Sequence, residues 1–283
     1  MDNLGNNPTS VGNVTTISIN VTLTEPTEVV PFISIQTDVS CFGMNDGVIL
    51  VDGLGGTNIG GGYTYSINNE PFTSNNFFNN LSAGIYTILV RDELNCEGTT
   101  SVFITEPSEL LSFIVNETQI DCSGNNNGQV VIGSTGGTAN YLYSFDGGAY
   151  GNNNIFTNLS QGIYSVATVD LNNCQYSFNV TIIEPSAIQF DLTTQTNLNC
   201  FGDNNGVIEV SGQGGTGNLQ YQINGQGYQN NNVFDNLSGG MYNLGVSDEN
   251  GCVDSLSVEI TEPAELLVEL INQNNIPCSG GNT

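Results

Sequence analysis

The chain has 283 residues, 28 acids and a single base, Arg91, giving a formal charge of −27, and it holds no histidine, lysine or tryptophan. A surface without bases cannot displace counterions from phosphates or settle on an anionic bilayer, which excludes nucleic acid and membrane surfaces as partners. His-based triads, Schiff bases and His-ligated zinc are excluded with them, leaving carboxylates and cysteines as the groups able to do chemistry.

Only 10% of residues are charged, whereas glycine (35) and asparagine (42) abound. The hydrophobic share, 38%, is low for a globular chain but too regularly placed for disorder. Turn residues on this scale predict an all-β protein of short strands. No segment is apolar for long enough to span a bilayer, so no membrane insertion is expected. Residues 1–20 lack the basic and apolar regions of a signal peptide, and Met1 is expected to begin an excised fragment.

Taken in chain order, the sequence is a repeat. Glu-Pro occurs at 25–26, 106–107, 184–185 and 262–263, at intervals of 81, 78 and 78. Residues 1–25 read as the last strand of a preceding repeat, with Ile17, Ile19, Val21 and Leu23 alternating. Three full repeats follow at 26–106, 107–184 and 185–262, and 263–283 read as the start of a truncated one. The first repeat is longer because its Gly-rich loop between Gly55 and Tyr63 exceeds that between Gly136 and Tyr141.

Inside a repeat the apolar period is two. A Cys-led turn (Cys41, Cys122, Cys200) is followed by Ile49-x-Val51, Val130-x-Ile132 and Ile208-x-Val210. Further on come Leu81-x-x-Gly84-x-Tyr86, Leu159-x-x-Gly162-x-Tyr164 and Leu237-x-x-Gly240-x-Tyr242. A tyrosine entering the penultimate strand just after a Gly corner resembles the tyrosine corner of immunoglobulin-like domains. Val102 and Ile104, Val180 and Ile182, and Val258 and Ile260 alternate in the last strand. Six or seven strands in about 80 residues predict tandem Ig-like β-sandwiches.

Two cysteines per repeat in so small a core point to disulfides, and hence to an oxidising, extracellular setting. Two registers are open. Pairing inside repeats gives Cys41–Cys96, Cys122–Cys174 and Cys200–Cys252. Pairing across junctions gives Cys96–Cys122, Cys174–Cys200 and Cys252–Cys278, but it predicts a cysteine at position 15, which is Thr15. The register inside repeats is therefore preferred. No CxxC occurs, so cysteine-only metal binding is not expected.

The motif string Cys-Phe-Gly-x-Asn-Asp-Gly-x-Ile from Cys41, then Gly-Gly-Thr, Tyr-x-Tyr, Asn-Leu-Ser-x-Gly-x-Tyr, Asp before Asn-Cys, and Thr-Glu-Pro resembles the SprB-type repeat of Bacteroidetes surface proteins. The resemblance runs from about residue 11 onward. It implies a large cell-surface adhesin, exported by type IX secretion and used in gliding and attachment, without catalysis. Ser123 and Gln129 depart from the pattern in the second repeat.

Candidate site residues are the acids that recur in register. Asp92, Asp170 and Asp248 precede the second cysteine; as hard oxygen donors they could bind Ca²⁺, the one candidate cofactor, or each could cap its own turn. Glu106, Glu184 and Glu262 could join a junctional calcium site, or simply end a strand before proline; capping and strand termination are preferred. Asn-rich loops at 74–76, 152–154 and 230–232, near Tyr63, Tyr150 and Tyr228, could bind surface polysaccharide. The sequons at Asn80, Asn158 and Asn236 follow the corner and are better explained by turn geometry. The expected function is a stalk or spacer in contact with neighbouring repeats, with a polysaccharide-binding module or an enzyme's accessory region as alternatives.

Overall fold

In a computed structural model, residues 19–21 and 23–273 are described. The chain divides into two packed units, Met1–Pro107 and Ser108–Thr283. The first contains repeat 1 and the second contains repeats 2 and 3. The described residues contain eighteen strands, and no helix long and apolar enough to cross a membrane.

Repeat 1 holds β1 (Val30–Thr37), β2 (Gly47–Leu54), β3 (Thr64–Ile67), β4 (Phe77–Leu81), β5 (Gly84–Arg91) and β6 (Glu97–Ile104). Repeat 2 holds β7 (Leu111–Thr118), β8 (Gly128–Thr135), β9 (Leu142–Phe145), β10 (Ile155–Leu159), β11 (Gly162–Val169) and β12 (Gln175–Ile182). Repeat 3 holds β13 (Gln189–Thr196), β14 (Gly206–Gln213), β15 (Gln220–Ile223), β16 (Val233–Leu237), β17 (Gly240–Ser247) and β18 (Val253–Ile260).

Each repeat folds these six strands into two three-stranded antiparallel sheets. In repeat 2 the sheets run β10-β8-β7 and β12-β11-β9, and the other repeats keep the same order. The chain is thus a tandem array of Ig-like β-sandwiches. The period-two residues face inward: Ile49, Val51, Ile88, Val90, Val102 and Ile104 form the core of repeat 1, and Val130, Ile132, Val166, Val180 and Ile182 that of repeat 2. Burying a full-sized aliphatic side chain is worth about 1.5–3 kcal/mol, so these few residues carry most of each domain's stability. Repeat 2 places Thr168 where the others have Val90 and Val246. Its buried hydroxyl accepts from Ser112 Oγ at 2.8 Å, and Ser112 meets Ser134 Oγ at 2.7 Å, so three hydroxyls satisfy one another inside the sandwich.

The corner tyrosines close each repeat. Tyr86, Tyr164 and Tyr242 donate to the carbonyls of Ser82, Ser160 and Ser238 at 2.9, 2.9 and 3.0 Å. Gly84, Gly162 and Gly240 each begin the strand that carries the tyrosine. Asn80, Asn158 and Asn236 take φ of 56°, 59° and 55° on the approach to the corner, a left-handed backbone that asparagine tolerates better than most residues. Tyr164→Phe is expected to lower the unfolding free energy of its repeat by about 1 kcal/mol in a urea titration, the worth of one such bond.

Strand direction gives every repeat two poles. In repeat 2, β7 enters at the pole where Gly137 N–H bonds Ser108 O, and β12 leaves at the opposite one, where Ile120 N–H bonds Ile183 O. Arg91, the lone base, ion-pairs with Glu97 at 2.5 Å and lies 3.6 Å above the centre of the Phe72 ring.

The flanking segments carry no strand among the described residues. Ile19, Val21 and Leu23 are exposed, and Ile17 lies outside the described residues. Leu266, Leu267 and Val268 are exposed likewise, and Cys278 lies outside the described residues.

Candidate functional site

Three recurring motifs meet at the two poles. At the entry pole, the Asp170 carboxylate accepts three backbone N–H groups: Thr138 on Oδ2 at 2.7 Å, and Asn172 and Cys174 on Oδ1, both at 2.9 Å. Asp92 does the same with Thr57, Leu94 and Cys96, and Asp248 with Thr216, Asn250 and Cys252. Each of these aspartates is buried. The Gly-Gly-Thr motif is what makes this latch possible. Gly137 has φ of 57°, and a Cβ there would lie 2.5 Å from Asp170 Oδ2. The aspartate therefore ties the β8–β9 loop to the turn bearing the second cysteine.

At the exit pole a second latch holds the first cysteine's turn. Glu106, Glu184 and Glu262 accept the N–H of Gly43, Gly124 and Gly202 at 2.7, 3.0 and 3.1 Å. The Glu-Pro signature therefore closes each sandwich as well as ending its last strand.

Neither set of acids forms a cage with its neighbours. Among the described residues no group of three or more Cys, Asp or Glu side chains is gathered closely enough to hold a metal ion. Because the aspartate oxygens already take backbone donors, we expect millimolar Ca²⁺ to raise the melting temperature no more than Mg²⁺ does. A calcium-specific rise of several degrees would contradict that expectation.

The Thr57 N–H, with those of Cys96 and Leu94, holds the Asp92 carboxyl below the usual carboxylate range. The Asn125 side chain does so for Asp121, and the Ser40 hydroxyl for Asp46. The folded-state values are lower than the unfolded ones. Their contribution to stability is therefore complete above the unfolded value of about 3.9 and is lost as pH falls through the folded values. Urea midpoints measured at high salt, which screens the overall charge, should be flat from pH 7 to about 5 and fall below about 4. Asp92→Asn should reduce that acid-side slope.

The cysteine register departs from the expectation. Cys122 of repeat 2 is bonded to Cys252 of repeat 3, with Cα atoms 5.6 Å apart and a sequence separation of 130. Cys122–Cys174 and Cys200–Cys252 are thereby excluded. Cys41–Cys96 is excluded too, since Cys96 is an exposed free thiol, as is Cys200. Cys41 and Cys174 are disulfide-bonded. The physical reason is polarity. The first cysteine lies at the exit pole and the second at the entry pole, separated by the length of an eight-residue strand, roughly 25 Å. No disulfide spans that distance inside a repeat, but repeats joined head to tail bring an exit pole against the next entry pole.

That contact carries more than the disulfide. Asn250 Nδ2 donates to Asp121 O at 3.0 Å, and Cys252 Sγ lies 3.3 Å from the same oxygen. Cys122, Ser123, Pro185, Ala187, Gly251 and Val253 line a cleft of about 440 Å³ beside it. Each end of the bridge is set on a latched turn, the Cys122 turn by Glu184 and the Cys252 turn by Asp248.

The Asn-rich loops are occupied structurally. Asn76, Asn154 and Asn232 donate to the carbonyls of Val51, Ile132 and Val210, while Asn75, Asn153 and Asn231 donate to those of Phe77, Ile155 and Val233. Tyr63 donates to Gly55 O at 2.6 Å, whereas Tyr150 and Tyr228 are exposed.

Tandem β-sandwiches, two of them joined by a disulfide, suit an extracellular repeat protein. The family model of the SprB repeat matches three tandem segments, residues 33–72, 114–150 and 192–227, one in each sandwich. No curated protein is matched. Among solved structures, the chain is similar to three N-terminal domains of the highly immunogenic outer capsid protein of bacteriophage RB49, with 11% identity, 82% of this chain and 95% of that one covered, and a TM-score of 0.38. It is also similar to Sidekick-1 immunoglobulin domains 1–5, with 9% identity, 84% and 60% coverage and a TM-score of 0.34. Protocadherin gamma B7 cadherin domains 1–4 share 12% identity, with 83% and 76% coverage and a TM-score of 0.30.

Proposed function

We propose that the chain is a stalk segment of a large secreted cell-surface adhesin, holding a distant adhesive part away from the cell during attachment or gliding. The observation that supports this reading best is the Cys122–Cys252 bridge. It joins two latched turns on successive repeats, so the hinge at Glu184-Pro185 is braced covalently as well as by proline. A covalently braced joint suits a part that transmits force and is not needed for a catalytic cleft. The charge of −27 supports the same reading, because neighbouring stalks repel and stay separate.

Polysaccharide binding through the Asn loops is less favoured, because two amides of each triplet already bond the backbone. Two measurements on the protein as made by its cells test the stalk reading. An antibody against these repeats should label intact cells and lose that label after surface proteolysis. The purified chain should pass unretarded over immobilised polysaccharides. Labelling only after permeabilisation would overturn the surface assignment, and retention on polysaccharide would overturn the passive role.

A further inference from the structure

Beside the bridge that joins repeats 2 and 3, two cysteines among the described residues are free thiols, Cys96 in repeat 1 and Cys200 in repeat 3. Cys200 occupies in repeat 3 the position that Cys122 has in repeat 2, and Cys96 occupies in repeat 1 the position of Cys252 in repeat 3. Both thiols are exposed. Both are also preset on the same latches as their bonded counterparts. The Cys200 turn is held by Glu262 on Gly202 N–H and by Asp203 on Cys200 N–H, and the Cys96 turn by Asp92.

The surroundings differ from those of the Cys122–Cys252 joint, although an exposed phenylalanine, Phe42, also stands beside the bonded Cys41. Beside Cys122 stands Ser123, and two residues before Cys252 stands Asn250. At the open positions these are Phe201, 51% exposed, and Leu94, 59% exposed. A pole carrying an exposed aromatic ring beside a thiol, and another carrying an exposed leucine beside a thiol, suit an apolar contact at the place where the described joint has a polar one.

We propose that Cys200 forms a disulfide with the second cysteine of a further SprB-type repeat docked by its entry pole, as Cys122 does with Cys252, and that a second copy of this chain supplies such a repeat through Cys96. The pairing is heterologous, exit pole to entry pole, so it joins copies head to tail. With oxidised glutathione as oxidant the chemistry balances. The Cys200 thiolate attacks the glutathione disulfide and releases one glutathione. The Cys96 thiolate of the other copy then attacks the Cys200 mixed disulfide and releases the second. Two thiols lose two protons and two electrons, and one disulfide forms.

The test uses the whole chain with Cys278→Ser, as equal parts of normal and ¹⁵N-labelled copies, in a glutathione redox buffer with the Cys122–Cys252 bridge intact. The expected result is a ladder of linked chains on a non-reducing gel. Its mixed-isotope peptides should join Cys200 to Cys96 well in excess of the ratio set by random collision. Cys96→Ser and Cys200→Ser should each abolish the ladder, leaving the remaining thiol glutathionylated. Leu94→Ser with Phe201→Ser should slow the ladder without removing either thiol. No linked chains, or Cys200–Cys200 and Cys96–Cys96 links at the random ratio, would overturn the proposal. Failure here would leave the stalk reading standing, since that reading is tested on cells and on polysaccharides.

Discussion

A Cys122→Ser, Cys252→Ser double variant is expected to lose up to about 5 kcal/mol from the unfolding of repeats 2 and 3, the loop-entropy value for a closure of this length. The bridge encloses nearly all of repeat 2 and repeat 3, so an unfolded form of either remains tethered while the bond holds. The readout is a urea titration of the variant against the oxidised parent. The parent should unfold at the higher urea concentration, and the variant's transition should broaden or split as the repeats become independent. Coincident midpoints would show that the joint adds nothing to the equilibrium. Pulling single molecules by their ends gives a separate check. Reduction should release up to roughly 450 Å of chain that the bond otherwise withholds, from 130 residues at about 3.3–3.6 Å each.

Asp170→Asn is expected to cost about 3 kcal/mol, among the largest effects of any single polar substitution in the chain. The carboxylate is buried and accepts three backbone N–H groups. An amide of the same size keeps one acceptor oxygen for Asn172 and Cys174 but turns an NH₂ toward the Thr138 N–H, setting donor against donor. The loss should appear as a lower urea midpoint with an unchanged slope. A second sign would be faster exchange of the Thr138 amide hydrogen, which a general loss of stability would not single out. Unchanged midpoint and exchange would refute the latch. Asp170→Glu should fail to restore it, because an extra methylene cannot fit beside Gly137.

Much of the fold is written in period-two patterns. Ile49-x-Val51 and Tyr86-x-Ile88-x-Val90 mark core strands, and the Glu-Pro intervals mark the repeats. The recurring acids are also visible as recurring. Less legible is what each one touches, since Asp92 and Thr57, or Glu106 and Gly43, are far apart in sequence and meet only through sheet pairing. The disulfide register is hidden in the sequence for a related reason. Spacing alone treats Cys122 and Cys174 as equivalent ends of one loop. The signal that distinguishes them is strand count: Cys122 comes one strand after the chain enters its repeat, and Cys174 comes one strand before the chain leaves. In a head-to-tail array that places them at opposite poles. The buried hydroxyl cluster around Thr168 was hidden too, because its partners Ser112 and Ser134 lie on the other sheet.

The setting of Arg91 has a consequence for survival outside the cell. Proteases of the trypsin class cut after lysine or arginine, and this chain of 283 residues offers them one bond. That bond follows the last residue of β5, paired with Glu97 of β6 across the sheet, and the side chain the protease would need is already held by Glu97 and the Phe72 ring. Cleavage would require repeat 1 to open locally first. An array built in this way withstands a whole class of digestive enzymes by composition, and the one place where it could be cut is a folded strand end.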